Sequence, residues 1–210
     1  GAAKIAVIGD TSDYGSANAD AFKTFFEEAG GEVVGSDLLP VGTTDFRAVL
    51  TRLKSDQPDA IYFGGVITEA GILRKQMAEL GIDIPMIGIS GFYDPEFIAI
   101  AGEAAEGAMV SYPAAASNAV LDKLYADYEA RGFAEPTSPY TKYAFDAANI
   151  LLENIKANGI EDKAALAEAI RGTTHEGALG TTSFDETGQT TLSVQIEIKK
   201  VENGEWVTKN

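Results

Sequence analysis

The chain has 210 residues, 45% of them hydrophobic, which is ample material for a buried core. Its 32 acidic residues against 16 basic give a formal charge of −16, and a surface this negative repels phosphate backbones and anionic membranes, arguing against nucleic acid as a partner. Cysteine is absent, which excludes disulfides, zinc–thiolate sites and thiol nucleophiles, and no apolar run approaches the roughly 20 residues of a membrane span.

Gly1 leads within three residues into a strand pattern, as expected of a mature, trimmed or truncated chain carrying no signal peptide. Residues 4–9 (KIAVIG) are a short apolar run of the kind that makes a fully buried parallel strand. Ala17, Ala21, Phe22, Phe25, Phe26 and Ala29 then recur at helical spacing until Gly30-Gly31. Residues 32–39 read as a second strand. Thr44 stands where a cap is needed before a helix bearing Phe46, Val49, Leu50 and Leu53. Pro58-Asp59 turns the chain into a third strand, 60–64, after which Thr68 is placed to cap a helix carrying Ile72, Leu73, Met77 and Leu80 and stopped by Gly81. Residues 86–89 make a fourth strand, Asp94-Pro95 opens a short helix, and 108–111 make a fifth strand. Strands and helices alternating at this rhythm predict βαβ units and a doubly wound, parallel α/β sandwich.

Beyond Pro113 the rhythm breaks. Residues 117–131 read as a helix with Val120, Leu121, Leu124, Tyr125 and Tyr128 on one face, closed by Gly132. A longer helix follows over 139–158, and a third over 162–171, capped by Asp162. Residues 173–189, rich in Gly and Thr, read as a loop, and strands return at 191–201 and 205–208 around an Asn203-Gly204 hairpin turn. The helices have broad apolar faces and no sheet of their own between them, so those faces must pack on something outside residues 114–190.

The residues match none of the common catalytic patterns. The turn 9–15 (GDTSDYG) lacks the glycine spacing of a phosphate loop and carries two aspartates. Gly88-Ile89-Ser90-Gly91-Phe92 misses the nucleophile-elbow pattern, with its second glycine one place early. The single histidine, His175, reads as a solvated loop residue, and Asp10, Asp13 and Asp20 do not have calcium-loop spacing. No catalytic residue, metal or cofactor follows from the residues, and a hydrolase is the remotest of the readings.

A resemblance does follow. The blocks at 5–15 (IAVIGDTSDYG), 42–46 (GTTDF), 59–65 (DAIYFGG), 73–76 (LRKQ), 101–107 (AGEAAEG) and 143–147 (YAFDA) are ordered and spaced as in the type I periplasmic binding proteins that serve branched-chain amino-acid importers. The resemblance extends over nearly the whole chain. It implies two α/β lobes joined by three crossovers, with a small-molecule ligand held in the cleft between them and delivered to the permease of an ABC transporter when the lobes close. It implies that 1–113 and 191–210 form the second lobe, and that 114–190 are first-lobe helices whose own sheet lies outside this chain. On that expectation the chain is a fragment, a split protein or half of an assembly. Its uncovered helices then take a substitute partner, such as a second copy, or are poorly ordered, and ligand affinity is weak or absent. The implied location is periplasmic, or extracytoplasmic with a membrane anchor ahead of Gly1. The same fold also serves as a ligand sensor in regulators and receptors.

In doubly wound sheets ligands sit beyond the carboxyl ends of the strands, which selects the loops 10–15, 65–68 and 90–93. The resemblance places Tyr14, beside Asp13, where the family sets an aromatic against its ligand. Val66 stands where amino-acid binders often have a tyrosine, and Ser90, followed by Gly91 and Phe92, where they often have an acid for the ligand's ammonium. A buried ammonium without such a partner is costly. The expected ligand is therefore an uncharged or carboxylate-bearing molecule, an organic acid or amide, slightly ahead of a leucine-type amino acid, with Val66, Phe92 and Tyr93 making the pocket more apolar. Asp13 or a residue outside the chain is the alternative ammonium partner.

Overall fold

The computed structural model describes residues 1–135, 137–192 and 195–209. In chain order the elements are β1 (Lys4–Asp10), α1 (Asp13–Glu28), β2 (Glu32–Leu39), α2 (Arg47–Ser55), β3 (Ala60–Gly64), α3 (Ile67–Glu79), β4 (Met86–Ile89), α4 (Pro95–Ala101) and β5 (Met109–Ala114), then α5 (Ala119–Arg131), α6 (Thr141–Asn158), α7 (Lys163–Arg171), β6 (His175–Gly177), β7 (Gly180–Thr182), β8 (Gln195–Glu202) and β9 (Glu205–Lys209). They fall into two compact units, Gly1–Tyr112 with Ile196–Asn210, and Pro113–Gln195.

The first unit is the doubly wound α/β sandwich that the alternation predicts. Its sheet runs β2-β1-β3-β4-β5-β8-β9, with β1 to β5 paired in parallel and β8 with β9 an antiparallel hairpin. That hairpin turns through Asn203 and Gly204, both at positive φ (55° and 75°), as its two-residue loop requires. Helices cover both faces, so β1 and β3 are near-continuous apolar runs. On one face Ile8, Ile61 and Phe63 meet Leu50, Leu53, Leu73, Met77 and Phe97 from α2, α3 and α4. On the other, Val7 and Tyr62 meet Ala19, Phe22 and Phe26 of α1. The Phe22 and Tyr62 rings stack at 3.8 Å, and burial, then the nearby Tyr14 phenol, pushes the Tyr62 hydroxyl up to about 12.

Three local expectations change. The apolar stripe read along α1 is split: Gly15, Ala19, Phe22 and Phe26 face the sheet, while Ala17, Ala21, Phe25 and Ala29 face out. Small residues are innermost because the helix comes close, a Cβ on Gly9 falling 3.0 Å from the Ala19 Cβ. Thr44 does not cap α2. Gln76 of α3 does that work from a distance, its Oε1 accepting the Phe46 N–H (2.7 Å) and its Nε2 donating to the Thr44 carbonyl (2.9 Å). Nor does Thr68 cap α3, whose N-cap is Val66; Glu69 in its first turn instead accepts the Gly42 N–H across the gap (2.9 Å).

The second unit holds α5, α6 and α7. Asn118 and Asp162 each accept two N–H groups at the starts of α5 and α7, and α5 ends at Gly132 in the left-handed region. The segment read as a loop contains the hairpin β6–β7, which is made by tertiary contact. Asp146 of α6, buried, accepts the N–H groups of Ala178 (2.8 Å) and Leu179 (2.7 Å) at its turn. His175 is accordingly not solvated: its ring is packed inside, 3.8 Å from Asp146 and 3.6 Å from Glu153. The strand expected over 191–201 begins at Gln195, and Ser193 and Val194 lie outside the described residues.

Replacing Gln76 by Leu keeps its volume and leaves the Phe46 N–H and Thr44 carbonyl without their partner. Urea unfolding is expected to show a loss of about 2 kcal/mol, the penalty for stranding buried backbone groups, whereas an unchanged midpoint would mean that water replaces the glutamine.

Candidate functional site

The sheet order reverses direction at β1, from which the chain steps outward to β2 and then back across to β3. The rim beyond the carboxyl ends of β1, β3 and β4 is the usual ligand position of this sheet type. Three loops build it.

The first loop is fixed by Asp10. This carboxylate ends β1 almost fully buried, and its Oδ1 accepts the Ser12 N–H (2.8 Å) and the Ser12 hydroxyl. Ser12 then caps α1, its Oγ accepting the Gly15 N–H at 3.0 Å. A Cβ on Gly15 would collide with the Asp10 carboxylate. The aspartate and serine thus set the entry angle of α1, and Asp13 and Tyr14 leave its first turn exposed, Tyr14 at 42%.

The second loop is Gly64-Gly65-Val66. A Cβ on Gly64 would lie 3.1 Å from the Gly15 carbonyl and 3.2 Å from the Ala19 N, so β3 ends directly under α1. Val66 then opens α3 with its side chain 43% exposed at the rim. The third loop is the short 3-10 turn Ser90–Phe92. A Cβ on Gly91 would fall 2.5 Å from both the Gly65 carbonyl oxygen and the Tyr14 hydroxyl. All three loops therefore meet where Gly91 has no side chain.

Of the residues expected at the site, Tyr14, Val66, Ser90 and Gly91 are brought together, with Asp13 exposed next to Tyr14. Phe92 is a correction. It is 1% exposed and turned down into the core against Phe63, Phe97 and Trp206, occupying the room that Gly88 leaves in β4, so it lines no surface. Tyr93 packs on Tyr112 (4.7 Å) and Trp206 (5.4 Å). Asp10, for which the sequence excluded only a calcium loop, is the buried carboxylate on which the first loop is built. An acid closing an otherwise apolar strand was the signal for it. Ser90 and His175 belong to different units. Among the described residues no cluster of His, Asp and Glu is arranged to hold a metal, and no helix is long and apolar enough to cross a membrane.

A family model described as "Periplasmic binding protein" matches residues 1–203. The chain belongs to this family. It is 33% identical over 184 residues to the leucine-, isoleucine-, valine-, threonine- and alanine-binding protein of Pseudomonas aeruginosa, covering 88% of this chain and 49% of that protein. The structure of a leucine-binding protein from Thermotoga maritima superposes with a TM-score of 0.87 at 31% identity, over 100% of this chain and 60% of that one. A branched-chain amino-acid transporter substrate-binding protein from Streptococcus pneumoniae, solved in complex with isoleucine, gives 0.79 at 26% identity, over 99% and 61%. The chain thus spans about half to three fifths of the length of these relatives, and the relatives are named as binding proteins, not enzymes.

Gly91→Ala places a methyl against two oxygens at once, only one of which is on a side chain. It is expected to displace Tyr14 and to cost about 1–3 kcal/mol of stability, as overpacking does. Thermal unfolding would read the cost, and pairing with Tyr14→Phe would recover only part of it because the Gly65 carbonyl remains.

Proposed function

We propose that this protein captures a small molecule with an apolar body and a carboxylate, a branched-chain amino acid or a related organic acid or amide, and passes it to an ABC importer. The observation that carries this reading is the convergence of Tyr14, Gly91 and Gly65 at the carboxyl ends of β1, β4 and β3. The rim so formed carries the Tyr14 phenol, the Ser90 side chain, glycine main chain and the exposed methyls of Val66, a mixture suited to an oxygen-rich head on an aliphatic body. The names of the relatives point the same way, to leucine, isoleucine and valine.

On this reading residues 1–113 with 191–210 are the second lobe of the family's two-lobed receptor, and 114–190 supply helices of the first. The protein works outside the cytoplasm, binds without catalysis, and hands its ligand to a membrane permease. Ammonium recognition falls to Asp13 or is dispensed with, since Asp10 already accepts from Ser12. Saturation-transfer NMR reads binding even at a Kd of about 1 mM, worth only about −4 kcal/mol. Leucine, isoleucine, valine and their deaminated carboxylates should receive saturation on their methyl groups, and Tyr14→Ala should weaken it severalfold. Silence from every member of the panel would overturn the reading.

The second unit carries a groove of about 340 Å³ lined by Ile150, Leu151, Ile170, Leu179, Phe184 and Leu192, with Leu151 43% exposed at it. Exposed apolar surface of this kind marks an interaction site, and a second copy of the chain is the proposed cover. Native mass spectrometry should find dimers that Leu151→Asp abolishes; a monomer at all concentrations would remove the homodimer.

A further inference from the structure

Strand β8 is built the wrong way round. Alternate residues of a strand face opposite sides, and Val201 faces the core of the first unit. The same face therefore takes Glu197 and Lys199, while Ile196 and Ile198 face outward, 63% and 41% exposed. The Lys199 side chain is only 13% exposed. A lysine is not turned inward, with isoleucines outward, for the sake of stability. Local rules broken in this way mark functional or strained positions.

The ammonium group has three donors, and its surroundings use them. It donates to the Thr208 hydroxyl on β9 (2.6 Å) and pairs with Glu197 (2.6 Å). It also lies 5.9 Å from the Tyr93 ring centre and 5.8 Å from that of Tyr112, within cation–π range of both. Trp206, the chain's single tryptophan, closes the cluster with its edge on Tyr93, and its indole N–H donates to the Asp94 carbonyl (3.0 Å).

Each member of this cluster occupies a sensitive place. Tyr93 follows the Ser90–Phe92 turn and donates its N–H to the Ser90 carbonyl (3.0 Å), and that turn abuts Tyr14 through Gly91. Tyr112 is the last residue before the chain leaves the first unit, and Glu197 is the second after it returns. We propose that Lys199 is a positioning residue that ties the site-bearing turn 90–93 to the two strands by which the chain leaves and returns to this unit. Together with the direct contact of Tyr93 on Tyr112, it holds the rim turn and those two strands as one piece. The consequence for ligand binding rests on the function proposed above; the mechanical tie does not.

The test is built to separate the two. Lys199→Met keeps the apolar stem and removes the charge. In the ligand-free protein, amide hydrogen exchange should accelerate roughly tenfold at 90–93 and 111–112 and stay unchanged in α2, and Trp206 emission should shift. Lys199→Arg, which keeps the cation over the rings, should restore both. Thr208→Val, a milder change, should show the same pattern at smaller amplitude and serves if the methionine variant folds poorly. Unchanged exchange at 90–93 in these variants would overturn the tie. With the tie present, saturation transfer to the carboxylate panel should weaken severalfold in Lys199→Met. Equal transfer to variant and parent would overturn the positioning role, and no transfer even to the parent, with exchange accelerated, would leave the tie standing and remove the ligand reading.

Discussion

The first turn of α1 lies directly on two glycines, and the rim of the first unit depends on that contact. Gly9 and Gly64 are paired at the ends of neighbouring parallel strands, one residue before Asp10 closes β1, and a side chain on either would run into Ala19, the Gly15 carbonyl or the α1 backbone. Close approach is possible only because Gly15 and Ala19, the helix residues facing them, are equally small. Once the helix is down, Asp10 is covered and must find donors, since a buried carboxylate without them is costly. Ser12 supplies two, and the same serine caps the helix. The placement of Tyr14 follows from this sequence of constraints.

A second theme is long-range satisfaction of backbone groups. Loops in both units are held by polar side chains from distant elements: Gln76 across 30 residues to Phe46, Glu69 across 27 to Gly42, Asp146 across 32 to Ala178. Each buried side chain replaces the local cap that the loop lacks. Such bonds contribute about 1 kcal/mol each when made and cost more when one partner is lost. They pin the loops without filling them, which leaves the rim shaped by main chain and by few side chains.

The rim and the aromatic cluster beside it divide the labour between recognition and mechanics. Tyr14 and Val66 are exposed where a ligand can be met, whereas Phe92 and Tyr93, in the turn that Ser90 opens, pack inward onto Phe97, Tyr112 and Trp206. One short turn thus belongs to the surface at its start and to the core at its end. Lys199, placed among the rings at the end of that turn, carries the connection on to β8 and β9.

The alternation of apolar strands with helices, the glycine stops at Gly81 and Gly132 and the Asn203-Gly204 turn were legible from residue order alone, because each is a local property of the chain. So was the family, whose blocks are short and in sequence. The position of the rim was legible too, since a parallel sheet puts its loops at one end. Which side chains line it was not. Phe92 looked like a pocket residue and is core, because Gly88 on the strand before it leaves room for the ring. His175 looked solvated and is mostly covered, because Asp146, far away in sequence, folds its segment into a hairpin. Thr44 and Thr68 looked like caps and are not: Gln76 reaches the Phe46 N–H and the Thr44 carbonyl instead, and α3 starts at Ile67, which puts Thr68 inside the helix. The inverted face of β8 was invisible for the same reason: alternation shows that two faces differ, and only packing against Val110, Phe97 and Trp206 decides which of them is inside.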